Sequence, residues 1–161
     1  MLSDASHIKL LALDVDGTLT DGGIYVFDTG QQCRKFNARD GLGVKRAVSQ
    51  GLEIGIISHS LVDGMIVKRA EMMDVKRVYV GQAAKLDVLA AWCHELEIGF
   101  EQVAYIGDDI NDLPVLEAVG LAACPADAAA RVIKACNVVL HKRGGEGCVR
   151  ELLDLFFLRE L

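Results

Sequence analysis

The sequence predicts a doubly wound α/β fold, in which a mainly parallel sheet is covered by helices on both faces. Three observations carry that expectation. Short, nearly continuous apolar runs recur along the chain, as strands buried on both faces require. Stretches with apolar residues at helical spacing alternate with them, so strand-then-helix units repeat. The 161 residues, 52% of them hydrophobic, suit a single domain over 1–161 with a sizeable core.

The elements follow in order. Residues 8–13 form a buried strand that ends abruptly in Asp14-Val15-Asp16-Gly17-Thr18. Segments 24–27 and 31–37 flank Asp28-Thr29-Gly30 and read as a β-hairpin flap after the first strand. Asp40 is the expected cap of a helix ending near Gly51. A second buried strand covers 53–57, and a helix follows to about Met73. Strands are expected at 78–80, 103–106, 121–124 and 137–140, and helices at 83–97, 114–119 and 127–135. A glycine-rich turn, 143–147, leads into a last helix ending at Leu161.

Composition excludes several functions. A net charge of -6 argues against a general nucleic-acid or anionic-membrane binder. The five cysteines are scattered without a CxxC pair, so packed, reduced thiols are expected rather than a disulfide framework or zinc site. His7, His59, His94 and His141 lack metal-ligand spacing. No apolar run approaches the roughly 20 residues that span a bilayer, and residues 1–9 carry no charged leader before an apolar stretch. A cytoplasmic protein is expected.

In parallel sheets of this kind, ligands sit beyond the carboxyl ends of the strands. The notable polar residues fall there: Asp14 and Asp16 after the first strand, Ser58 after the second, and Asp108 and Asp109 after 103–106. Asn111 and Asp112 lie just beyond, and Lys85 opens the helix after the strand at 78–80. Asp, Ser and Asn also favour caps and turns, so each alone has a structural explanation. Together they indicate a site. Two carboxylates about 4 Å apart repel by about 4 kcal/mol at an effective dielectric near 20. A hard divalent cation removes that cost, and carboxylate and carbonyl oxygens suit magnesium.

Here the sequence resembles a known family. Asp14-Val15-Asp16-Gly17-Thr18 is similar to the DxDGT motif of the haloacid dehalogenase superfamily, whose fold is Rossmann-like. Ser58 matches its second motif, Lys85 its third, and Gly107-Asp108-Asp109-Ile110-Asn111-Asp112 its fourth. The resemblance implies that Asp14 attacks phosphorus to give an aspartyl-phosphate, and that Asp16 protonates the leaving alkoxide and then activates water. It implies magnesium held by Asp14, the Asp16 backbone carbonyl and Asp108, with Asp109 and Asp112 ordering that arrangement. Ser58 and Lys85 would hold the phosphoryl oxygens.

The possible insertion sites are too short for a cap domain, so a capless member is expected. Leu19-Thr20-Asp21-Gly22, Phe36 to Gly43 and Lys142 to Gly147 resemble the subfamily acting on phosphorylated 2-keto-3-deoxy sugar acids. The implied substrate is 3-deoxy-D-manno-octulosonate 8-phosphate, within lipopolysaccharide biosynthesis; the nine-carbon 2-keto-3-deoxynononate 9-phosphate is the alternative. Asn37, Arg39, Asp40, Lys45, Arg69 and Arg143 are the candidates for gripping the sugar acid, since guanidinium pairs bidentately with carboxylate. Ser58-His59-Ser60 departs from the subfamily's usual Thr-Gly-Arg or Thr-Gly-Glu. A homotetramer is implied, its hairpins meeting to help close each site. The final helix, rich in Leu and Phe, is expected to expose more apolar surface than one face buries. A receiver domain and a non-catalytic assembly module are rival readings; the intact set of acids disfavours both.

Overall fold

The computed structural model describes residues 5–158. The chain begins with β1 (Leu10–Leu13), then β2 (Tyr25–Val26) and β3 (Gln32–Cys33), α1 (Ala38–Ser49) and β4 (Glu53–Ser58). Next come α2 (Gly64–Met72), β5 (Arg77–Val80), α3 (Lys85–Leu96) and β6 (Val103–Ile106). It closes with α4 (Leu113–Leu116), β7 (Leu121–Cys124), α5 (Ala130–Ala135), β8 (Val138–Val139) and α6 (Cys148–Phe156).

Six strands form one sheet in the order β5-β4-β1-β6-β7-β8, and every neighbouring pair is parallel. From β1 the chain moves outward through β4 and β5, returns to β6 on the other side of β1, and continues to β7 and β8. The switch in direction falls beside β1, where a crevice opens in doubly wound sheets. Leu13 lies level with both Ile56 and Ile106, so the residues after β1, β4 and β6 emerge together at one edge.

Alternation along the strands fills two cores. Leu11 and Leu13 of β1 pack with Val44 and Ala47 of α1, Ile66 of α2 and Leu152 and Leu153 of α6. Leu10 and Ala12 face the other way, toward Leu89 and Trp92 of α3, Leu116 of α4 and Val132 of α5. Each leucine of β1 is fully buried, and transfer of such a side chain from water contributes about 2 kcal/mol.

Several boundaries differ from the sequence reading. The cap of α1 is Asn37, whose Oδ1 accepts from the Arg39 amide at 2.8 Å. Asp40 lies inside the first turn, buried, and its Oδ1 accepts the Arg150 amide of α6 at 2.8 Å, tying the two helices together. Burial pushes its carboxyl up to about 6, and its other oxygen has no partner. The last helix also packs on its own fold. Leu152 and Leu153 are buried, Phe156, Phe157 and Leu158 lie against the core, and Leu155 is exposed. That helix ends at Phe156, and the expected continuation to Leu161 reaches beyond the described residues.

The hairpin is present, with Tyr25 opposite Cys33 and Val26 opposite Gln32, but its paired part is two residues long on each side. Phe36 is not on an exposed edge; it packs on the core beneath the Arg69 guanidinium, 5.5 Å from its ring centroid. Between Asp16 and Ser58 lie the hairpin and α1, and between Ser58 and Lys85 lie α2 and β5, so no cap domain is inserted at either place. All five cysteines are free; Cys93, Cys124 and Cys148 are buried. Among the described residues, no helix is long and apolar enough to cross a membrane.

Candidate active site

The loop after β1 is built around two backbone requirements. The Thr20 amide bonds back to the Val15 carbonyl at 3.0 Å, and Gly17 takes φ +86°, a left-handed conformation that favours glycine. A side chain on Gly17 would also collide with the Asp108 carboxylate, so this glycine lets the loops after β1 and β6 touch. The glycine-rich turn clasps the same loop from outside. Gly145 donates to the Thr18 carbonyl at 3.0 Å, and a side chain on Gly144 would strike the Gly17 carbonyl oxygen.

These contacts converge the acids. Asp14, at the end of β1, donates its backbone N–H to the Ile106 carbonyl at 3.0 Å and buries its carboxylate against Lys85. Lys85 Nζ lies 2.5 Å from Asp14 Oδ1 and 2.7 Å from Asp112 Oδ1, fully enclosed. Asp112 spends its remaining capacity on the fold: it accepts from the Tyr105 hydroxyl at 2.6 Å and from the amides of Asp108 and Asp109 at 3.0 and 3.2 Å. Asp109 caps the following turn through Ile110. Thus Asp112 orders the loop after β6, while Asp14 and Asp108 face each other across the centre of the site.

Carboxylate oxygens of Asp14, Asp108 and Asp112 lie within 4.8 Å of one another. Burial first, and the Asp112 charge second, raise the Asp14 carboxyl well above its usual range, with Lys85 only partly opposing them. The same two causes push Asp108 up to about 6. Burial works against the Lys85 charge, yet Asp14 and Asp112 outweigh it and hold the ammonium above its ordinary value. Burial and Asp112 likewise keep the Tyr105 hydroxyl protonated, as a donor. The cluster therefore carries more acid than one lysine can balance. A hard divalent cation offsets that excess, and an all-oxygen donor set suits magnesium.

A pocket of about 370 Å³ opens over these groups, lined by Asp14, Asp16, Ser58, Asp108, Asp109 and Asn111. Ser58 is buried at the end of β4, its Oγ accepting the Ser60 amide at 3.1 Å. Arg34, His59, Ser60, Gln32, Ile24 and Leu61 complete the wall.

The six sugar-binding candidates do not line this pocket. Asn37 caps α1 and donates to the Gly145 carbonyl at 3.2 Å, and Arg69 donates to the Asn37 carbonyl at 2.9 Å. Asp40 is committed to α6, and Arg39 is exposed outside the pocket. Lys45 pairs with Asp74, near the start of β5 and so at the opposite edge of the sheet. Arg143 pairs with Asp127 at 3.4 Å and is largely exposed. Asn37, Asp40, Lys45, Arg69 and Arg143 each have a structural partner that sequence alone could not show.

Two participants were missed. Tyr105 reads as a core residue of β6, and nothing in the sequence marks its hydroxyl. Arg34 has a signal: alternation along the hairpin turns 32, 34 and 36 inward and leaves 31, 33 and 35 exposed. Its side chain is 2% exposed and forks onto Asp16, with Nε 2.6 Å from Oδ1 and Nη2 3.2 Å from Oδ2.

A doubly wound sheet with an acidic, cation-suited centre at its switch point and a buried lysine among the acids is an arrangement suited to phosphoryl transfer. The comparisons with known proteins agree. Residues 64–152 match the family model of haloacid dehalogenase-like hydrolases. The 3-deoxy-D-manno-octulosonate 8-phosphate phosphatase of Salmonella typhi is 39% identical over 160 residues, covering 99% of this chain and 85% of the relative. The enzyme of that name from Yersinia pestis superposes with a TM-score of 0.90 at 37% identity, covering 94% of this chain and 81% of that one. A third, from Moraxella catarrhalis, solved with magnesium ion, phosphate ion and KDO, gives 0.90 at 33% identity, covering 94% and 86%. The chain belongs to the haloacid dehalogenase-like hydrolases.

Proposed function

We propose that this protein is a magnesium-dependent phosphatase that hydrolyses 3-deoxy-D-manno-octulosonate 8-phosphate through a phosphorylated Asp14. The observation that carries the reading is the meeting of Asp14, Asp108 and Lys85 beneath the pocket that also receives Asp16 and Ser58. The substrate rests on the phosphatases to which the chain is similar along nearly its whole length.

Asp14 and Asp108 carboxylates, with the Asp16 carbonyl, would hold the magnesium. When bound, it opposes charge on the phosphoryl oxygens. An Asp14 oxygen attacks phosphorus, the bond from phosphorus to the sugar oxygen breaks, and Asp16 donates a proton to that oxygen. Asp16, now a carboxylate, takes a proton from water; the hydroxide attacks the aspartyl-phosphate, releasing inorganic phosphate and restoring Asp14. Ser58 donates its hydroxyl proton to a phosphoryl oxygen, and Lys85 offers the N–H left after its two carboxylate bonds. Asp109 and Asp112 hold the loop that carries Asp108.

The test is a phosphate-release assay with magnesium across keto sugar acid phosphates. The kcat/KM for the eight-carbon substrate should exceed that for the nine-carbon analogue and greatly exceed that for p-nitrophenyl phosphate, because binding energy from the sugar acts in the transition state. Equal efficiency on all three would reduce the protein to an unspecific phosphatase.

Assembly and location belong to the same reading. Tyr25, Val26 and Phe27 of the hairpin are 69%, 66% and 55% exposed, an apolar flap of the kind that contacts another chain. The exposed flap supports assembly through the hairpin, which we take to be a homotetramer with closed symmetry, as the resemblance to capless phosphatases implies. A cytoplasmic location is part of that same resemblance. Light scattering at micromolar concentration should give four chains; a fully active monomer would remove the hairpin's role in assembly.

A further inference from the structure

We propose that Arg34 is the positioning residue for Asp16, aiming the carboxyl at the leaving oxygen. The inference rests on the acid–base role given above to Asp16. Arg34 reaches from the hairpin into the pocket wall and meets both Asp16 oxygens, at 2.6 and 3.2 Å. Among the described residues, no other side chain bonds to the Asp16 carboxylate. The guanidinium is itself fixed: Nη2 donates to Ser60 Oγ at 3.1 Å and Nη1 to Gln32 Oε1 at 3.4 Å. Ser60 Oγ in turn donates to the Val62 carbonyl at 2.9 Å.

The burial is lopsided. The Arg34 side chain is 2% exposed, whereas that of Asp16 is 32% exposed and faces the pocket. The fixed partner is the arginine, and the solvent-facing partner is the group that must meet substrate. An aspartate has two side-chain torsions, and a single hydrogen bond leaves rotation free. Two parallel bonds from one rigid plane fix both in the carboxylate. In the acid form Oδ1 keeps the shorter bond, and Oδ2, whose contact is the longer, carries the proton away from the guanidinium. Effective proton transfer needs that fixed approach, because misplacement by about 1 Å can cost about 100-fold. The hairpin thereby enters the chemistry through Asp16.

The test uses leaving groups. An alkyl phosphate releases an alkoxide that needs a proton, whereas p-nitrophenyl phosphate releases a stable anion that does not. The full chain carrying Arg34→Met, Arg34→Lys or Asp16→Asn is mixed rapidly with each substrate, and the first turnover is followed. The alkyl substrates are 3-deoxy-D-manno-octulosonate 8-phosphate and glucose 6-phosphate, which has no carboxylate.

Arg34→Met should lower first-turnover cleavage of both alkyl phosphates by about 10- to 100-fold, with KM little changed. The nitrophenolate burst should stay nearly unchanged, which also shows that the variant folds. Arg34→Lys, a point charge without the fork, should recover only part of the loss. Arg34→Met added to Asp16→Asn should cost nothing further.

Equal losses on alkyl and nitrophenyl substrates would make Arg34 a structural brace and overturn the inference. A loss confined to the keto acid substrate would make it a carboxylate-binding residue, and also overturn it. If Asp16→Asn itself shows no dependence on leaving group, the acid–base role of Asp16 fails first. If Asp16→Asn shows that dependence and Arg34→Met does not, only the inference about Arg34 fails.

Discussion

Asp14→Asn is expected to abolish phosphate release, by about 10⁴-fold or more, while leaving the fold intact. The amide has nearly the same shape and can occupy the same space beside Lys85, but it offers no anionic oxygen to attack phosphorus. Losses of this size are usual when a nucleophile is removed, because the rest of the site then supplies only binding and charge stabilisation. Stability should move the other way. Burial and the neighbouring Asp112 raise the Asp14 carboxyl well above its ordinary value, so its ionised form opposes folding at neutral pH when no cation is present. A neutral amide removes that opposition. Thermal unfolding in chelator should therefore occur at or above the temperature of the parent protein. Substantial activity in a well-folded Asp14→Asn protein would end the nucleophile assignment.

Removal of magnesium should be as complete in its effect. Chelation should stop turnover, and added magnesium should restore it. Calcium, which is larger and takes more ligands, should bind but support little catalysis. A second readout does not need catalysis. Asp14 and Asp108 have folded-state values above those of ordinary carboxyls, Asp108 near 6, so protons compete with the cation for the same oxygens. Magnesium affinity should rise as pH increases through the range around 6, with protons released on binding. It should flatten once both groups are ionised. Activity that survives exhaustive chelation, or an affinity independent of pH across that range, would remove the acid cluster from its assigned place.

Much of this arrangement could be read from the sequence because burial and chemistry leave local marks. The apolar runs that became β1, β6 and β7 stood out since both faces of a central parallel strand are buried. The polar residues that follow them stood out because they interrupt those runs. Asp14 and Asp108 stand out in this way, Ser58 and Lys85 by their places at the end of β4 and the start of α3, and the structure brings the four together.

The sugar-binding candidates lie outside the pocket lining, and their orientation was not legible in the same way. A basic residue on a helix or turn carries no local sign of which way it faces. Lys45 was free in sequence to point anywhere, and it pairs with Asp74 at the far edge. Asn37 and Asp40 compete for one helix start, and the Arg150 amide of a distant helix draws Asp40 inward. The final helix looked too apolar for one face because its Leu and Phe residues could not be matched in advance to the core that receives them. Arg34 lies on the polar second arm of the hairpin, beside Gln31, Gln32 and Lys35, where an arginine ordinarily reads as a solvated surface residue. Its partner Asp16 is 18 positions away, and that distance hid the pair.

The central claim is that phosphate passes through Asp14. Reaction of the magnesium-loaded protein with 3-deoxy-D-manno-octulosonate 8-phosphate, quenched in acid within the first turnover and analysed by peptide mass spectrometry, tests it directly. The account predicts a phosphoryl adduct on the peptide containing Asp14, located on that aspartate, which forms before free phosphate appears and decays as it accumulates. An adduct on Ser58, or phosphate released in the first turnover with no adduct at any time, would contradict it.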